Sequence, residues 1–106
     1  MAKYLVAASY TAEGIAGVMK EGGTARVNVV EKMVAGLGGK VESFHFAFGA
    51  DDAFVIIDLP DNVSAAALGL AVGASKAVNV RTTVLLTPEE VDRAAKMKVD
   101  YTAPGA

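Results

Sequence analysis

Apolar and polar positions along the chain follow two alternating periods. Residues 3–10, KYLVAASY, form a short apolar run that suits a buried strand. Thr11 can cap a helix that follows, and Ile15, Val18 and Met19 recur at helical spacing. Gly22-Gly23 interrupts that stripe. Thr24 can restart it, and Val27, Val30, Val34 and Leu37 carry it to a glycine stop at Gly38-Gly39. The period then drops to two. Across residues 41–48, Phe44, Phe46 and Phe48 point one way, and Ser43, His45 and Ala47 the other. GADD at 49–52 turns the chain, AFVIIDL at 53–59 returns it, and Pro60 ends the strand. Asp61 or Asn62 caps VSAAALGLAVGAS, a helix with no clear polar face, which therefore packs on more than one side. VNVRTTVLL at 78–86 is a strand rich in β-branched residues. Thr87, Pro88 and Glu90 then make a capping box with proline at the first helical position, opening a helix to about Lys98.

This order, β-α-β-β-α-β plus a terminal helix, is the ferredoxin-like split βαβ arrangement: an α+β fold whose four-stranded antiparallel sheet carries helices on one face only. The central hairpin shows what the second face must do. If Gly49 pairs with Asp52, then Phe48 faces Ala53, Phe46 faces Val55 and Phe44 faces Ile57, and that side is wholly apolar. Phe46 is then a core residue. The other side carries Ser43, His45, Ala47, Phe54, Ile56 and Asp58. Phe54 and Ile56 are poor choices for open water, so both faces call for cover. A second copy stacking its sheet on this one supplies it, which makes the protein a dimeric α/β barrel. The expected division is a folded domain over residues 1–98 and a flexible tail over 99–106.

Composition sharpens this picture. Hydrophobic residues make up 53% of the 106, with a mean hydropathy of +0.39. That is high for a small domain and fits apolar surface covered by another chain. Ten basic residues against 12 acidic ones leave a net charge of −2. The basic residues are scattered, with no aromatic interleaving, which argues against nucleic acid as a partner. Cysteine is absent and histidine single, so neither a disulfide framework nor a cysteine- or histidine-based metal site is expected, and no cofactor motif stands out. The first apolar run is too short for a signal peptide or a membrane span, and a cytoplasmic location is the default reading.

The resemblance of the chain rests on KYLVAASYTAEGI, EGGTAR, LGGKVESFHFAFG, FVIIDLPDNVSAAAL and VRTTVLLTPEE, in this order and over nearly all of the chain to about residue 95. These blocks resemble the GYD-domain family, which is grouped with the dimeric α/β-barrel superfamily. The family is named for Gly, Tyr and Asp at its central hairpin. Here Gly49 and Asp52 fit, and Asp51 stands where the tyrosine would be. The resemblance implies the fold and homo-oligomerisation, and little chemistry. The wider superfamily includes muconolactone-isomerase-like proteins, cofactor-free oxygenases and haem-degrading oxygenases, but a shared fold does not transfer their activities.

Candidate chemistry centres on His45 and Asp58. In the register above, Asp58 lies opposite Ser43 and diagonal to His45, about 7–8 Å between positions. A carboxylate there would orient an imidazole for acid–base work; a structural histidine at a subunit contact accounts for the same pattern. Arg81 stands in an apolar strand, where it could hold a substrate carboxylate or pair with Asp58 or with an acidic residue of a second subunit. Tyr10 could offer its phenol to a ligand, or simply pack. EGGTAR could bind an anion through backbone amides, though it lacks the phosphate-loop lysine pattern. Asp51 and Asp52 read as turn residues rather than metal ligands. Two functions remain: a small-molecule binder or cofactor-free isomerase or oxygenase, with His45 and Asp58 catalytic and Tyr10 or Arg81 anchoring substrate, and a non-catalytic oligomeric scaffold or interaction module.

Overall fold

A computed structural model describes residues 1–106. Its elements run β1 (Ala2–Tyr10), α1 (Ala12–Glu21), α2 (Gly23–Gly36), β2 (Lys40–Phe46), β3 (Ala53–Leu59), α3 (Asn62–Ala74), β4 (Val78–Leu85) and α4 (Pro88–Lys96). The four strands form one antiparallel sheet in the order β2-β3-β1-β4, the ferredoxin-like arrangement read from the sequence. The first crossover is two helices rather than one, because Gly22 sits at φ 86°. Its N–H closes α1 on the Val18 carbonyl at 2.8 Å. A side chain at that φ would be strained, so glycine is what lets the chain bend and start again. The caps follow the sequence: Thr11 accepts from the Gly14 amide at 3.3 Å, and Asp61 accepts from the Ser64 amide at 2.9 Å.

The core lies between the sheet and α2 and α3. Tyr4, Val6, Val55, Ile57 and Leu59 from the two central strands meet Val34 of α2 and Ala65 and Leu68 of α3. Central strands carry this load because both their edges are hydrogen-bonded and every second side chain faces the helices. Tyr4 is 1% exposed, and its hydroxyl donates to Asn62 Oδ1 at 2.6 Å. The phenol thus buries its ring without leaving its polar tip unpaired.

The β2–β3 hairpin departs from the expected register by two residues. Phe46 pairs with Ala53 and Phe44 with Val55, not with Val55 and Ile57. The loop is longer than a tight turn: the Ala47 amide donates to the Asp52 carbonyl, and the Asp52 amide to the Ala8 carbonyl, both at 2.8 Å. That last bond ties the loop to β1 and keeps Phe48–Asp51 out of the ladder. Because the shift is even, every β2 side chain from 43 to 46 keeps its face. The consequences fall on the phenylalanines. Phe48 is fully exposed and Phe46 is 43% exposed; only Phe44 packs against the core. Phe46 is therefore not a core residue; its ring lies over Gly23 at the start of α2. A bulge between Val41 and Ser43 shifts the pairing once more, so that Val41 meets Ile57 and Lys40 meets Asp58. The hairpin can close here because Gly39 passes tightly against the Asp58 carbonyl, where a Cβ would collide.

Nothing in the chain covers the second face of the sheet. The last element, α4, has the complete capping box: the Thr87 amide donates to Glu90 Oε1 at 2.9 Å and the Glu90 amide to Thr87 Oγ1 at 3.1 Å. Yet no residue from Leu86 onward is buried, and Glu90 alone is even partly covered. The chain measures 57 × 33 × 22 Å with a radius of gyration of 16.9 Å, against about 13 Å for a compact chain of this length. The C-terminal segment accounts for the difference by standing away from the body.

Candidate functional site on the open sheet face

The side chains that carry charge or chemistry collect on the uncovered face, and the strand register orders them in rows. One row runs His45, Phe54, Ala7, Arg81; the next runs Ser43, Ile56, Leu5, Thr83; a third runs Lys40, Asp58, Lys3, Leu85. The central strands thus lay down an apolar floor of Leu5, Ala7, Phe54 and Ile56. Alternation produces it directly, since these positions are out of phase with Tyr4, Val6, Val55 and Ile57 beneath.

Two polar clusters fence this floor. At one end, Lys3 Nζ donates to Glu42 Oε1 at 2.7 Å and to Asp58 Oδ1 at 2.9 Å. Those two hydrogen bonds, Glu42 first, raise the Lys3 pKa above its ordinary value and keep it charged. Glu42 reaches this cluster because it sits at the bulge. At the other end, Asp51 leans over the sheet from the β2–β3 loop. It accepts from the Arg81 guanidinium and from Ser9 Oγ at 3.1 Å. Asp52 turns back to take the Tyr10 amide at 2.8 Å, which fixes the base of the loop.

The four residues singled out in the sequence separate accordingly. His45 is exposed at the end of its row, beside Phe54. Asp58 lies four residues farther along β3 than Phe54, roughly 13 Å away at ~3.3 Å per residue. The structure therefore does not bring His45 and Asp58 together within one chain, and Asp58 is engaged by Lys3. The two-residue change of register and the bulge cause this. Arg81 shares the row of His45 from the far edge, and its acidic partner is Asp51 of the same chain rather than Asp58. Tyr10 lies on the opposite side of the sheet, among the apolar side chains under the helices. Burial pushes its pKa up, against the opposing pull of the Arg26 guanidinium, with Asp52 and Glu21 adding to the rise. The sequence pattern does not mark Lys3, Glu42 or Asp51 as site residues. Lys3 shares a strand face with Leu5 and Ala7, which could have marked it; the positions of Glu42 and Asp51 depend on the bulge and the loop.

The concavities of the chain lie away from this face. An interior void of about 40 Å³ between sheet and helices is lined only by hydrophobic residues. It is far below the ~300–1,000 Å³ of a ligand pocket and offers nothing to orient a ligand. A wider groove of about 470 Å³ runs between α3 and β4. No three His, Asp or Glu side chains come together as a metal-ligand group, and no helix is long and apolar enough to cross a membrane. Enclosing a ligand over the floor would take a second body laid on the sheet.

Comparison with curated proteins finds no match, and comparison with solved structures finds none. The family model described as the GYD domain matches residues 4–95, which takes in β2, β3, β4, the first three helices and most of β1 and α4. The chain belongs to the GYD-domain family.

Proposed function

We propose that the protein works as a homo-oligomer in which two open sheet faces stack, and that the space between them binds or converts a small, partly apolar molecule. The observation that carries this reading is the floor of Leu5, Ala7, Phe54 and Ile56, uncovered in the single chain and fenced by the Lys3 and Asp51 clusters. Phe54 alone is 39% exposed. A floor of this kind gives a ligand apolar contact, while the polar rim orients it. His45, exposed beside Phe54, is the imidazole of this set and its candidate acid–base group. Arg81, held by Asp51, keeps donors free for a carboxylate. Asp58 serves through Lys3, by setting the charge at the far end of the floor. If the molecule is converted, a cofactor-free isomerisation or oxygenation suits these groups.

A scaffold role is the second reading, and α3 favours it. That helix has no charged residue from Asn62 to Ala74, yet Val63 and Leu70 are 78% and 75% exposed. Two measurements separate the readings. Phe54→Arg should reduce the mass of the assembly in light scattering with an unchanged circular dichroism spectrum; an unchanged mass would refute stacking through this face. The NMR resonance of the His45 imidazole, one clean signal in this chain, should move on adding small aromatic acids. A signal indifferent to every acid tried would leave the scaffold reading.

A further inference from the structure

We propose that the C-terminal arm, residues 86–101, packs into the groove between α3 and β4 of a second copy, and that two chains exchange arms reciprocally. The arm is built to be covered and is not covered by its own chain. Leu86, Val91, Met97, Val99 and Tyr101 are between 51% and 76% exposed. A nine-residue helix is shorter than the ~12–15 residues at which even good helix formers become marginally stable alone, so α4 needs tertiary packing. Its charged residues leave Val91, Ala94 and Ala95 as one apolar stripe.

The same molecule carries the matching surface. The groove is open, about 470 Å³, and lined mainly by Ala65, Ala66, Gly69, Leu70, Val80 and Val84. Small residues on α3 permit close approach by another helix, and no charge on α3 repels it. β4 is the edge strand on that side, so nothing of the chain's own sheet blocks entry.

The occupant is a second copy because of how the arm leaves the body. The groove lies back along β4 from Leu85, where the arm begins. Folding back would need a reversal at Leu86–Thr87. Thr87 instead stands extended at φ −78°, ψ 159°, a conformation that the following Pro88 enforces and both capping bonds lock. The arm therefore projects outward, as the 57 Å long axis records. Reciprocal exchange closes a two-fold pair, whereas one-way donation would run on into a filament. Each copy then contributes its arm and its groove, which together reach the ~20–30 residues a side of a specific interface.

Single-cysteine variants of the full chain test this, since the chain has no cysteine of its own. Leu70→Cys and Val91→Cys both lie at exposed positions, so neither endangers the fold. Unfolded and refolded together, then treated with a short bismaleimide, their equimolar mixture should give a covalent dimer, and neither variant alone should. The chain carrying both substitutions should also run as a dimer. No dimer in the mixture, a dimer from Leu70→Cys alone, or monomer-sized intrachain product from the double variant would each overturn the exchange. Ala7→Cys, on the open face, reports sheet stacking in a parallel reaction, so a failure of that contact is read separately.

Discussion

At the scale of single residues, exposure decides what each side chain is worth. Ile57 is 1% exposed, so Ile57→Ala should cost about 2–5 kcal/mol through lost burial and the cavity left behind. Tyr4→Phe removes one hydrogen bond and leaves Asn62 Oδ1 unpaired, at about 1 kcal/mol. Phe46→Asp, which the alternation alone would rank with Ile57→Ala, should cost less than that core truncation, because the ring is 43% exposed. Urea unfolding of the three variants checks the ranking, and Phe46→Asp as the worst of them would refute the register. Titratable caps add a pH dependence. Bonds from the Ser64 amide and hydroxyl depress the Asp61 pKa below 3.8, and the Thr87 amide depresses that of Glu90 below 4.5. A depressed folded-state pKa means stability fully present above the unfolded value and lost as pH falls through the folded one. Melting temperature should therefore fall below about pH 4, and the fall should be smaller in Asp61→Asn, which keeps a capping oxygen without a titrating proton.

At the scale of elements, two glycines separate two costs that a sequence pattern cannot tell apart. Gly22 has φ 86° and open space around its Cα. With ψ at 164° it lies in a region essentially reserved for glycine, so Gly22→Ala should cost only conformational strain, about 1–3 kcal/mol. At Gly39 a Cβ would run into the Asp58 carbonyl and the Leu59 side chain. Gly39→Ala must push β2 off β3, so it should destabilise more than Gly22→Ala in the same unfolding experiment; equal effects would contradict the close hairpin approach. The bulge at Glu42 acts on the same hairpin from the other side. By adding a residue to β2 it lets Glu42 join Lys3 and Asp58 while Ser43 and His45 keep their places on the open face.

At the scale of the whole molecule, much apolar surface stays open in the single chain. One sheet face, one helix face and one arm stand exposed, and each is apolar at its centre. At concentrations low enough for monomer, X-ray scattering should give a radius of gyration near the 16.9 Å of this chain rather than the ~13 Å of a compact one. A value near the lower figure would mean that the arm folds back on its own body. The proposed sheet stacking and arm exchange use different surfaces, so the two contacts are compatible in one assembly.

The order of the strands, the caps at Thr11, Asp61 and Thr87, the glycine break at Gly22 and the apolar Phe54 and Ile56 on the second face were legible in the sequence; that Gly22 rather than Thr24 opens a separate second helix was not. Each legible feature follows from interactions within a few residues or from strict alternation along a strand. The placement of the candidate site was not legible. Whether His45 meets Asp58 depends on which residue of β2 lies opposite which of β3. Alternation leaves any even shift of that pairing equally apolar on one side and equally mixed on the other. The tertiary structure broke the tie through the Asp52 amide's bond to Ala8 on β1, which lengthens the loop, and through the bulge at Glu42. The pairing of Arg81 with Asp51 across the sheet, and the outward course of the arm, also arise only once separate segments are fixed against each other in space.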